Sequence, residues 1–120
     1  MKLVALAATV ALIGVLAVPF ASAATPTLVG TDGPGFTITL TKGGKKVSKL
    51  KAGTYTITVA DKSSIHNFTL EQESGGSFEQ DLTSIPDEGT ESMTVKLTKG
   101  EWKFYCSAHE SQMNGSYTVS

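Results

Sequence analysis

The sequence predicts an all-β sandwich behind an apolar leader, and three observations carry that prediction. Beyond residue 23, apolar and polar residues alternate with period two in several runs of five to nine residues, the pattern of strands buried on one face. Turns bearing glycine, aspartate and lysine separate these runs, and none carries the period of an amphipathic helix. No internal repeat or low-complexity tract interrupts them.

The chain opens with Lys2, an apolar run from about Leu3 to Val18, and the small residues Ala21-Ser22-Ala23. That is the make-up of a secretory leader cleaved after Ala23. The run is shorter than the roughly 20 residues that span a bilayer. Residues 1–23 are therefore expected to be a cleaved signal peptide, and residues 24–120 a single exported domain, since about 97 residues hold one small core. From Ala24 to Gly35 the chain has turn chemistry, notably Asp32-Gly33-Pro34-Gly35. The first well-defined strand is expected at Phe36 to Leu40, with Phe36, Ile38 and Leu40 inward and threonine outward. Lys42-Gly43-Gly44-Lys45 reads as a hairpin turn, and Val47 to Lys51 as an edge strand blunted by lysines.

Gly53 to Asp61 is the most regular run, with Tyr55, Ile57 and Val59 on one face, a core strand of an antiparallel sandwich. In Ile65 to Leu70, parity puts His66, Phe68 and Leu70 on the apolar side. Glu71 to Thr90 is irregular; a short strand is expected near Ser77 to Leu82. Ser92 to Thr98 places Met93, Val95 and Leu97 inward, which makes Met93 a core residue and not a ligand. Lys99-Gly100 then turns into Glu101 to Cys106, with Trp102, Phe104 and Cys106 on one face. A polar loop follows, and Asn114-Gly115 is read as the turn into a closing strand with Tyr117 and Val119 inward.

The formal net charge is −1, so the total implies neither a nucleic-acid partner nor an acidic membrane. Its distribution is uneven. Lys42, Lys45, Lys46, Lys49 and Lys51 cluster, while Glu71, Glu73, Glu79, Asp81, Asp87, Glu88 and Glu91 follow one another with no basic residue among them. These are either solvated loops or a dipole that steers a charged redox partner. The single cysteine excludes an internal disulfide. In an exported chain it is paired between chains, left as a reactive thiol, or occupied by metal.

Its neighbours favour metal. Cys106, His109 and Met113 are spaced C-x2-H-x3-M, bringing thiolate, imidazole and thioether into eight residues. Those donors suit copper, and Cys with two His and a weak axial Met is the blue-copper set. His66 is the one other histidine. Structural zinc wants four Cys or His donors, and three exist. Cys–His hydrolysis would leave Met113 and one histidine without a role, and no histidine is spare for a second, catalytic copper.

The run G-x-W-x-F-Y-C-S-x-H, then M-x-G-x-Y-T-V, and the upstream pair His66-Asn67 resemble the copper loop and first ligand of cupredoxins of the plastocyanin, amicyanin and pseudoazurin type. Two departures are visible: the His-to-Met interval is three residues, where the family often has two or four, and Ala108 stands where many relatives have proline. The resemblance implies a Greek-key β-sandwich of seven or eight strands and one copper ion held by His66, Cys106, His109 and Met113. It further implies a monomeric one-electron carrier, not an enzyme, that meets redox partner proteins near His109. By the same resemblance Asn67 hydrogen-bonds across to the cysteine loop. The alternative is a protein that stores or delivers copper without shuttling electrons.

Overall fold

The computed structural model describes residues 11–17 and 24–120; the expected cleavage after Ala23 lies outside them. Ten strands follow in order: β1 (Thr27–Asp32), β2 (Ile38–Lys42), β3 (Lys45–Lys46), β4 (Lys49–Leu50), β5 (Gly53–Asp61), β6 (Thr69–Gln72), β7 (Glu79–Asp81), β8 (Gly89–Leu97), β9 (Gly100–Tyr105) and β10 (Asn114–Val119). They form two five-stranded sheets, β3-β2-β1-β5-β8 and β4-β10-β9-β6-β7. The all-β sandwich is as expected, and eight strands remain once the two-residue strands β3 and β4 are set aside. Among the described residues there is no helix.

The regular runs fold as read. β5 buries Tyr55, Ile57 and Val59, and β8 buries Val95 and Leu97 with Met93 packed against the core. Burying a Leu or Ile completely is worth about 1.5–3 kcal/mol, so these alternating faces define which way each strand turns. The turn at Gly43-Gly44 is present, both glycines at positive φ, and pairs Lys42 with Lys45.

Four expectations are corrected. β1 lies where turn chemistry was read, because it is paired on both edges, parallel to β5 and antiparallel to β2; the sheet is therefore mixed, and β5 is not in a purely antiparallel one. Phe36 is not inward: the loop lasts through Thr37, closed by Gly33 N–H to the Thr37 carbonyl at 2.8 Å, and leaves Phe36 53% exposed. Val47 to Lys51 is not one edge strand. Val47 and Leu50 are both buried, three residues apart, a spacing no single strand face allows. The chain instead crosses from β3 in one sheet to β4, which runs parallel to β10 in the other. Finally, Asn114-Gly115 is not a turn but the start of β10, opposite Tyr105 and Phe104. Glycine is required at 115 because a Cβ there would overlap the Phe104 ring.

Antiparallel pairing of β5 with β8, β6 with β9 and β9 with β10 gathers the ends Asp61, Gly89, Thr69, Tyr105 and Asn114 at one pole. The lysine-rich β2–β3 turn lies at the other end of β2.

Candidate metal centre

β9 ends at Tyr105, and its alternation sends Trp102, Phe104 and Cys106 inward, Cys106 to 0% exposure. The next seven residues form a loop tied by its own backbone. Cys106 N–H donates to the Met113 carbonyl at 3.1 Å, His109 N–H to the Cys106 carbonyl at 3.1 Å, and the amides of Gln112 and Met113 to the His109 carbonyl at 3.0 and 2.8 Å. Both ends of the loop, and His109 in its middle, are thereby fixed to one another.

His66 comes from the segment before β6. That segment was expected to be strand from Ile65, but strand pairing starts at Thr69, and His66 to Leu70 are all buried. Burial on every side, not one face, holds this stretch. Asn67 ties it to the cysteine loop as the resemblance implied: its Oδ1 accepts from Ser107 N–H at 2.8 Å and from Ser107 Oγ at 3.2 Å. With its amide so enclosed, Asn67 cannot carry the glycan that Asn67-Phe68-Thr69 would nominally permit.

Three donor atoms converge. His66 Nδ1 lies 3.1 Å from His109 Nδ1, and Cys106 Sγ lies 3.8 Å from the first and 3.7 Å from the second. A point equidistant from all three is about 2.1 Å from each, against metal–imidazole and metal–thiolate bonds of about 2.0–2.3 Å for an ion such as zinc. The three residues thus fit one first-row ion. Two imidazoles with one thiolate, in place of four zinc-type donors, favour copper. Met113 is fully buried at the loop's end, its backbone bonded to both Cys106 and His109.

Phe36 is the residue that the sequence did not reveal as part of this site. Its ring packs edge-on against His66 at 5.4 Å and His109 at 5.0 Å between centroids, and the two imidazoles meet edge-on at 4.9 Å. No sequence signal could have found it, since Phe36 reaches the histidines from a loop of the other sheet. His66 is sealed beneath, while His109 is half-buried and Phe36 is open to solvent.

Charged groups rim the neighbouring face of β9. Lys103 pairs with Glu110 of the loop, with Glu73 at 3.3 Å and with Glu71 at 3.5 Å; its hydrogen bond to Glu110 raises its pKa further. The acidic stretch therefore does meet a cation, supplied by β9. Tyr105 donates to Glu79 Oε1 at 2.9 Å, and burial, then that carboxylate, push its hydroxyl up to about 12.

Comparison with protein-family models matches residues 44–120 to the copper binding proteins of the plastocyanin/azurin family. Comparison with curated protein sequences finds no match. Among solved structures, the chain is similar to rusticyanin, described as a copper protein, at 17% identity and TM-score 0.60, over 82% of this chain and 80% of that one. Reduced rusticyanin gives 17% identity and TM-score 0.57 over 83% and 82%. Rusticyanin from Thiobacillus ferrooxidans gives 20% and 0.54 over 82% and 79%. At these identities the structural likeness concerns the fold.

Proposed function

The chain belongs to the plastocyanin/azurin family of copper-binding proteins, and on that footing we propose that it is a small exported electron carrier, a monomer that shuttles single electrons and catalyses no reaction of its own. The observation that carries this reading is the triangle of His66 Nδ1, Cys106 Sγ and His109 Nδ1 with edges of 3.1 to 3.8 Å. Copper bound there would supply the one-electron Cu(I)/Cu(II) couple.

The protein's own part is to hold the donors. His66, Cys106 and His109 would hold the ion, with Met113 as a fourth, weaker donor. Cys106 would supply its sulfur as thiolate, the form of cysteine that ligates metals. Asn67 fixes the cysteine loop against the histidine segment, the kind of outer tie that orients ligands. Because these positions are set by backbone hydrogen bonds and burial, little has to move when the charge on the site changes. Phe36 keeps water from the histidine rings, and the exposed rim of Phe36 and His109 is where redox partner proteins dock.

Export rests on the leader, residues 1–23, and places the protein in the periplasm or at the outer surface. Among the described residues no helix is long and apolar enough to cross a membrane. The test is the visible spectrum after one equivalent of Cu(II), followed by ascorbate and re-oxidation. An intense blue band that bleaches and returns is expected. A pale band, or irreversible loss of the thiol, would overturn electron transfer in favour of Cu(I) storage or delivery.

A further inference from the structure

Two carboxylates are buried in this fold outside the metal centre. Asp32 closes β1 and Asp61 closes β5, and they are register partners in the parallel ladder, so their side chains leave the sheet on the same face. Asp32 is 0% and Asp61 4% exposed. Both Asp32 oxygens and Asp61 Oδ2 lack a hydrogen-bond partner; Asp61 Oδ1 accepts from Ser63 N–H at 3.2 Å. Two ionised carboxylates cannot share such a place without countercharge. The remaining ladder partners of these residues offer none, since Asp32 faces Ile38 of β2 and Asp61 faces Gly89 of β8. The neighbouring Thr83 hydroxyl is engaged with Phe68 N–H at 2.9 Å. Lys62 is exposed, and Glu88 turns outward to the Ser64 N–H.

We propose that Asp32 and Asp61 share a single proton, and that this carboxyl–carboxylate pair is a pH-sensitive latch positioning the Phe36 loop over the metal centre. The proton sits on Asp32, whose O–H donates to Asp61; one proton thus satisfies an orphaned donor–acceptor pair and removes the like-charge contact. The link to the site is direct in the chain. Asp32 is followed by Gly33 to Phe36, its carbonyl accepts from Lys62 N–H at 2.9 Å, and the loop it launches ends with the Phe36 ring on both imidazoles. Burial, then the side chain and charge of Asp61, push the Asp32 carboxyl up to about 7, with Thr83 opposing.

The sign follows. Between the ordinary carboxylate pKa, about 4, and about 7, the folded protein holds a proton that the unfolded chain has released. Stability therefore falls as pH rises through that window. Above it, repulsion between the two carboxylates loosens the joined ends of β1 and β5 and frees the Phe36 loop.

Three readings on the metal-free protein test this: infrared absorption of protonated carboxyl groups, thermal midpoint against pH, and the nuclear Overhauser contact between the Phe36 and His109 rings. A carboxyl band present near pH 6 and gone near pH 8.5 is expected. The wild-type midpoint should fall by several degrees across that range relative to Asp32→Asn, and the ring contact should weaken with pH in the wild type but not in the variant. Every other group is common to both proteins, so the difference between the profiles isolates the pair. Asp61→Asn, which keeps an oxygen for Ser63, serves if Asp32→Asn does not fold. No carboxyl band near pH 6, or parallel midpoint profiles, overturns the shared proton; a ring contact indifferent to pH overturns the latch.

Discussion

Replacing Asn67 by alanine cuts the tie between the histidine segment and the cysteine loop. Two bonds from Ser107, at 2.8 and 3.2 Å, and a weaker one to Thr69 Oγ1 at 3.4 Å are lost. Ser107 is exposed, so its freed donors regain water, and Thr69 keeps its 2.6 Å bond to Asp81. The net loss is then the bonds themselves, about 0.5–1.5 kcal/mol each and about 2 kcal/mol together. For a domain of about 100 residues that lowers the thermal midpoint by about 10 °C. Because the tie orients ligands, copper affinity should fall about 10- to 100-fold as well. Metal-free melting and a competition titration with a copper chelator read the two effects separately. Ser107→Ala is the control, since it removes only the 3.2 Å hydroxyl bond and leaves the backbone one. If Asn67→Ala costs no more than Ser107→Ala in either measurement, the tie does not hold the site and the reasoning fails.

Cys106→Ser should abolish the blue band and most copper affinity while the metal-free melting curve stays close to wild type, because the side chains are nearly isosteric; a retained spectrum would remove Cys106 from the donor set. Met113→Gln should keep copper and lower the reduction potential, and a potential that does not respond in voltammetry would dismiss Met113 as axial donor. Gly115→Ala drives a methyl into the Phe104 ring, so urea unfolding should show a loss of about 1–3 kcal/mol, the usual penalty for overpacking a core.

The parts of this fold that were legible in the sequence are those where one face is buried and the other wet. β5, β8, β9 and β10 alternate cleanly, and their inward residues are the ones found in the core. β1 was illegible because its residues, Thr27–Asp32, include glycine and aspartate and owe their strand state to partners on both edges. Pairing of that kind is non-local and leaves no mark within six residues. The crossing at Val47 to Leu50 was hidden because it changes sheets mid-run. In the candidate site, His66, Cys106 and His109 could be read because sulfur and imidazole donors are so scarce here that few combinations exist. Phe36 could not, because its contact with the histidines depends on where a loop ends. Asp32 reads as a turn residue and Asp61 as the end of the β5 run; only the register of β1 on β5 makes them a buried pair.

The site's geometry and the fold's stability have separate sources. The donors sit at one pole, fixed by the Cys106–Met113 and Asn67–Ser107 hydrogen bonds, whereas the main cohesion comes from residues such as Leu28, Ile57, Leu70 and Trp102 between the sheets. The domain can therefore fold before it binds metal, unlike a zinc finger, whose few apolar residues leave folding to the ion. Copper would then add stability by mass action, growing with the logarithm of its free concentration over its dissociation constant. That additional stability should vanish with Cys106→Ser but survive, reduced, in Asn67→Ala, because the first removes a donor and the second only loosens the frame that presents it.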